Sequence, residues 1–300
     1  MTDPSPTTQT DWLALTQRAC RAGHDLVGWI MWDPDAIARF EALGVPNGTG
    51  WPLTWRLAPL GDVAPAAAAA ATFSIDPKVI EMVLGRAREV TDVDTICGVR
   101  DASVVPGLEA IAPGLGDALV PLADDLWRGV DSVHFGARPM FAALRAQPRP
   151  EDRPVLSAWL AANCLRELRG DNHWALCAAA DLDAVEVGLL HSVMVDTDEY
   201  GSEEWIARSR GHDDAIPAGW ARLEAKGLAT GSSINEEGRR FRLELERRTD
   251  ELTAPAWQAA GEHTTVSFCE AIEPHHDAFL ARVDATAGKR WMPAMRHRPV

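Results

Sequence analysis

Residues 165–182, LRELRGDNHWALCAAADL, constrain the fold more than any other stretch. Leu165, Leu168, Ala175 and Leu176 recur at helical spacing among good helix formers. At the centre stand Arg169, Gly170, Asp171, Asn172 and His173. A glycine in a helix interior costs about 1 kcal/mol relative to alanine, and Asp and Asn favour caps and turns. On a straight helix Arg169 and His173 share a face at i, i+4 while Asp171 points elsewhere. If Gly170 breaks or bends the helix, Asp171 and His173 converge.

Two kinds of role fit this pentapeptide. In one, it is a buried polar network between the halves of the chain, with Arg169 paired to Asp171 and His173 hydrogen-bonded to backbone. In the other, Asp171 orients the His173 imidazole as a general acid/base pair. A third arrangement gathers His24, Asp171 and His173 as two histidines and a carboxylate around a metal. Its D-x-H order with a distant His is not a recognised ligand pattern, so no metal is expected.

The chain of 300 residues suggests two domains, 1–148 and 149–300, divided at RAQPRPEDRP (145–154), which carries three prolines and five charges. With 46% apolar residues it can bury a core. No apolar run approaches the ~20 residues of a membrane span, and the polar start MTDPSPTTQTDW reads as a tail without the marks of a signal peptide. The five cysteines (20, 97, 164, 177, 269) are scattered and form no CxxC, which suits reduced thiols in a cytoplasm. A net charge of −15 gives no general attraction for nucleic acid. High Ala, Arg and Asp with a single Tyr points, by composition alone, to a GC-rich and actinobacterial source.

Helix signals dominate and strand signals are few, so the fold class is mainly α. Helices are expected at 12–21 and on to 44 with a break at Asp33–Pro34 and Asp33 or Asp35 as cap. Further ones follow at 53–61, 65–75, and 76–90 with Asp76 as cap, then near 116–130, 137–146, 152–169, 183–195, 202–209, 214–227 and 235–259. His275 and His276 read as a helix-start pair on a solvated surface. Twelve tryptophans are many for this length. Trp29/Trp32 at i, i+3 and Trp51/Trp55 at i, i+4 either pack in the core, the usual place of tryptophan, or each line a wall of a site where Arg56 would hold a carboxylate or enolate oxygen. Trp174 and His191 would join that site, and His24 is either a satisfied core histidine or part of it. No P-loop, GxGxxG, HExxH or nucleophile elbow occurs, so no cofactor is expected.

DAIPAGWARLEAKGLATGSSINEEGRRFRLELERRTDEL (214–252) resembles the end of MarR-type winged-helix domains, through Leu223, Lys226, Gly227, Leu228, Asn235, Gly238 and Arg239. Gly227 would end a helix in the left-handed region, a β-wing would follow, and Asn235 would open a long helix. The segment HDDAIPAGW (212–220) lacks the Arg, Lys, Gln or Asn that a DNA-reading helix presents. Packing or pairing of two copies is the use expected of this winged helix. Taken whole, residues 24–252 resemble the actinobacterial SalK-like family, often labelled helix-turn-helix proteins and found near biosynthetic genes. His24 in AGHDLVGWIMWDPDA, WRLAPLG (55–61), ATFSIDPKVI (71–80) and LRELRGDNHWAL (165–176) carry that resemblance. The family usually has Tyr or Phe near Met31–Trp32, where this chain has tryptophan. The resemblance implies architecture and no reaction.

The expected protein is therefore a two-domain helical chain with a pocket near the domain junction, for a planar or polyketide-like small molecule. The expected chemistry is cofactor-independent cyclisation, isomerisation or elimination. His173 or His24 would move a proton, Asp171 would orient, and Arg56 or Arg169 would stabilise negative charge. The alternatives are a MarR-type ligand-responsive regulator and a carrier or resistance protein that only binds.

Overall fold

In the computed structural model, residues 10–297 are described; the polar start expected as a tail lies largely outside them. Before the linker come α1 (Trp12–Gly28), α2 (Pro34–Glu41), α3 (Trp51–Leu57), α4 (Pro65–Thr72), α5 (Pro77–Arg88), α6 (Val93–Ile111), α7 (Leu115–Leu119), α8 (Ala123–Asp131) and α9 (Pro139–Arg145). After it come α10 (Pro154–Ala179), α11 (Ala184–Leu190), α12 (Thr197–Tyr200), α13 (Trp205–Ser209) and α14 (Ile216–Ala225). A two-stranded wing, β1 (Ala229–Thr230) and β2 (Ser233–Ile234), leads to α15 (Glu236–Ala260), α16 (Glu262–Ile272) and α17 (His276–Ala287). Among the described residues no single helix is long and apolar enough to cross a membrane.

Local chemistry sets the element boundaries. The Asp33 carboxylate accepts the Ala36 N–H at 2.8 Å and Asp76 accepts that of Lys78 at 2.7 Å, each with proline in the first turn. Asn235 caps α15 through the Gly238 N–H at 2.9 Å. Gly227 ends α14 with φ +74°. Gly238 is required for another reason: a Cβ there would overlap the Leu228 carbonyl, so only glycine lets the wing lie against the start of α15.

The centre of the molecule is α10, which packs against α1, α8, α9 and α15. The largest apolar cluster takes side chains from both sides of residue 148, among them Leu26, Phe40, Trp127, Trp159 and Phe268. The linker thus divides the sequence, while this core runs across it. A second cluster, built on Leu189, Trp220, Leu223 and Leu245, holds the winged-helix elements α11, α14, β1 and β2 to α15.

Gly170 does not break α10. The helix is continuous over 26 residues, because each polar member of the pentapeptide reaches a different neighbour. Arg169 donates to Glu246 and, at 2.9 Å, to Asp250 on α15. The Asp171 carboxylate accepts the Phe141 N–H at 2.8 Å, satisfying a backbone donor in the first turn of α9. Asn172 donates to Thr253 at 3.1 Å and accepts from Arg138 at 2.9 Å. His173 meets Thr249 at 3.1 Å. The expected break and the expected Arg169–Asp171 pair are therefore both absent.

Candidate functional site

A cavity of about 590 Å³ lies where α10 meets the first half of the chain, α13, α15 and the segment after α17. That volume suits a drug-sized molecule. Of the expected site residues, His24, Trp32, Arg56, Arg169, His173, Trp174 and His191 line it. Trp29, Trp51, Trp55 and Asp171 do not.

The three tryptophans are core. Trp29 and Trp51 are wholly buried and Trp55 is 1% exposed. Trp29 and Trp159 both donate their indole N–H to the Leu26 carbonyl, at 2.8 and 3.0 Å, and Trp51 donates to that of Ile30 at 2.9 Å. These carbonyls lie where α1 gives way to the 3-10 turn Trp29–Trp32, so the indoles satisfy acceptors that the helix change leaves open. Helical spacing placed the tryptophans on shared faces, and those faces turn inward. The flat cavity walls come instead from Trp32, Trp174, Trp205 and Trp291. Trp32 and Trp291 have centroids 4.8 Å apart, and Trp174 stacks on Phe73 at 5.7 Å with planes 2° apart. Phe73 has φ +55°, a strain of about 1–3 kcal/mol for a bulky residue, which turns the chain so that Ser74 and Ile75 face the cavity.

Asp171 does not orient His173. Thr249 does, and its geometry assigns the tautomer. The Thr249 hydroxyl spends its hydrogen on the Leu245 carbonyl at 2.7 Å, leaving only oxygen lone pairs for the imidazole. His173 Nδ1 must therefore carry the hydrogen and Nε2 the free lone pair. Burial, with Arg242 nearby, lowers His173 to about 3, so the ring stays neutral at physiological pH. His24 and His191 are also held well below the usual histidine range by burial, and His297 at about 4. The His191 and His297 Nε2 atoms are 2.9 Å apart. Burial, reinforced by the Glu167 charge, raises Asp171 to about 7 against the opposing Phe141 N–H. Among the described residues no three His, Cys, Asp or Glu side chains gather for a metal, and Asp171 faces α9 rather than His24.

Among the described residues six arginines line the cavity (56, 166, 169, 210, 242 and 290) with one carboxylate, Glu246. Arg56 makes a bidentate pair with Glu167 at 2.7 and 2.8 Å, and Arg166 donates to the same carboxylate at 2.6 Å. Glu246 receives both Arg169 and Arg242. Arg56 and Arg169, expected to meet a ligand's negative charge, are thus each committed to a protein carboxylate. Arg210, Arg242, Glu246 and His297 went unassigned in the sequence, although a signal existed. Positions 242, 246, 249, 250 and 253 recur at i, i+4, i+7, i+8 and i+11, so they form one buried polar stripe on α15.

Gly170 lines this cavity beside Arg56, and an added Cβ would come no nearer than 3.6 Å to Glu167 Oε2 and 3.9 Å to Arg56 Nη2. Nothing in the packing excludes a methyl. Gly170→Ala is expected to stabilise the protein by about 1 kcal/mol in urea unfolding. A destabilised variant would show that the fold itself needs the glycine.

In the winged helix, the exposed residues of α14 are Pro217, Ala218, Ala221, Glu224 and Ala225. Arg222 pairs with Asp183, and Lys226 with Glu186 at 2.8 Å. At the surface, His276, expected to be solvated, pairs with Asp25 at 2.8 Å.

A family model described as a helix-turn-helix family matches residues 16–286. No curated protein and no solved structure matches the chain.

Proposed function

The chain belongs to the helix-turn-helix family, and from that premise we propose that it is a SalK-like member whose MarR-like winged helix serves as scaffold for a small-molecule site. The reading is that of a cofactor-independent acid/base enzyme acting on a planar ligand in the 590 Å³ cavity. The observation that carries it is the His173 lone pair: Nδ1–H is held by Thr249, so Nε2 is a neutral base beside a cation-rich wall. Without a ligand, burial holds the ring at about 3, too low for a strong base. Negative charge developing beside it raises that value, so that Nε2 takes a proton next to a carbonyl. The Nη1 atoms of Arg210 and Arg242, unpartnered among the described residues, stabilise the enolate oxygen. His24 is the second proton carrier, since its Nδ1 is buried without a partner.

2-Acetonaphthone, a flat, neutral and enolisable ketone, tests this reading. Wild-type protein in D2O is expected to speed deuterium incorporation into its methyl group, followed by mass spectrometry. His173→Gln is expected to lower that rate by about 10²-fold or more while quenching of tryptophan fluorescence by the ketone is unchanged. Exchange at the buffer rate with the ketone bound would leave a carrier and overturn the enzyme.

A ligand-responsive regulator is the second reading, favoured by the wing's direct attachment to α15, the helix that carries Arg242 and Glu246. It requires the protein to retard DNA flanking its own coding sequence at low salt. The paired cations Arg222 and Lys226, and an exposed face of α14 without Arg or Lys, argue for no retardation.

A further inference from the structure

Arg210 and Arg242 differ from the other cavity arginines in what they lack. Each presents a buried Nη1 with no hydrogen-bond partner among the described residues. Arg242 is 2% exposed, and its Nη2 reaches Glu246. Arg210, half-buried as a residue, makes no ion pair and no side-chain hydrogen bond among the described residues; only its backbone is engaged, the carbonyl by the Asp76 N–H at 2.9 Å and the N–H by the Ala207 carbonyl at 3.2 Å. Burial and the charges of Arg56 and Arg242 push Arg210 down to about 10, with only the Cys177 thiol opposing them. A guanidinium does not escape by losing its proton, and a buried cation without an anion is costly. The other buried arginines of this wall have carboxylates: Glu167 for Arg56 and Arg166, Glu246 with Asp250 for Arg169, and Glu246 for Arg242. Among the described residues no side chain supplies the anion for Arg210.

We propose that Arg210 and Arg242 form the receptor for a carboxylate on the ligand, so that the protein's substrates are flat aromatic or polyketide-type acids. Both orphaned Nη1 donors belong to one cavity, where the two guanidinium charges act on each other, and each offers an N–H to a carboxylate oxygen. Trp32, Trp174, Trp205 and Trp291 offer apolar surface for the ring system. The assignment rests on the cavity's being a ligand site, and it differs from what the sequence suggested, since Arg56 is neutralised by Glu167.

Two probes of equal shape separate the claims: 2-naphthoate and neutral 2-naphthalenemethanol, titrated by quenching of tryptophan fluorescence. Wild-type protein is expected to bind the carboxylate at least 10-fold more tightly. Arg210→Met is expected to erase most of that preference while leaving the alcohol's Kd unchanged. Without ligand, Arg210→Met is expected to raise the Tm by a few degrees, because it removes an unpaired buried cation; an unchanged or lowered Tm overturns the proposal. Equal binding of the two probes by wild-type protein overturns the carboxylate receptor but leaves the cavity as a ligand site. Binding of neither probe overturns both. Displacement of naphthoate by inorganic phosphate at tenfold lower concentration than by acetate assigns the pair to phosphate and overturns the carboxylate.

Discussion

Glu246→Gln is expected to cost the fold about 3–5 kcal/mol, because it leaves buried guanidinium charge uncompensated. Glu246 is 7% exposed and is the acceptor for both Arg169 on α10 and Arg242 on its own helix. Burial pushes its carboxyl up, and the two cations more than reverse that, holding it well below the usual carboxylate range. Glutamine keeps the shape and loses the charge. Arg169 would retain Asp250, whereas Arg242 makes no other ion pair among the described residues. Urea unfolding measures the loss, and Glu244→Gln supplies the contrast. Glu244 pairs with Arg247 at 2.7 Å on the exposed side of the same helix, and such pairs are worth about 0–1 kcal/mol. Similar losses in the two variants would mean that the interior pair is solvated.

Acidification from pH 7 to pH 5.5 is expected to remove about 3 kcal/mol of stability, a large share of the ~5–15 kcal/mol available to a typical domain. His24, His173, His191 and His297 all have folded pKa values depressed by burial, two of them to about 3 and about 4. In the unfolded chain they titrate near 6.5. Below that value the unfolded state takes up protons that the folded state refuses, so stability is present above 6.5 and lost as pH falls towards the folded pKa values. Each histidine contributes a loss of about 1.2 kcal/mol over the interval, or about 5 in all. Asp171 acts in the opposite sense, since it is raised to about 7 and gains its proton in the folded state first. It returns about 1.6 kcal/mol. His276, raised chiefly by its hydrogen bond to Asp25, returns a smaller amount. Urea midpoints at pH 7 and pH 5.5 check the balance. His24→Leu is expected to flatten the profile by about one proton, and a flat profile in the wild-type protein would contradict the burial of these rings.

The sequence conveyed the fold better than the site, for identifiable physical reasons. Caps and punctuation are local, so Asp33, Asp76, Asn235 and Gly227 mark their helix ends in the chain and in the structure alike. The wing followed from the same local chemistry. At residues 169–173 the cost was legible, but the partners were not: Glu246, Thr249 and Asp250 lie some 75–80 residues away in sequence, on a helix that reads as a charged rod. Without them, the glycine looked like a break. The tryptophan pairs left core and cavity wall both open for a related reason, because helical spacing shows which residues share a face and not what that face meets. Only the carbonyl acceptors of Leu26 and Ile30 decide that Trp29 and Trp51 turn into the core.

Roughly 37 Å long at the usual helical rise, α15 joins two regions that a reader of the domain layout would separate. Its first turn is clamped under the β-ribbon at Gly238, one residue type wide in tolerance, and Arg242 enters the chamber wall a single turn later. A guest that displaced residue 242 would act one turn from the Gly238 contact with Leu228 and Ile234, and a hold on the ribbon would act equally close to the chamber.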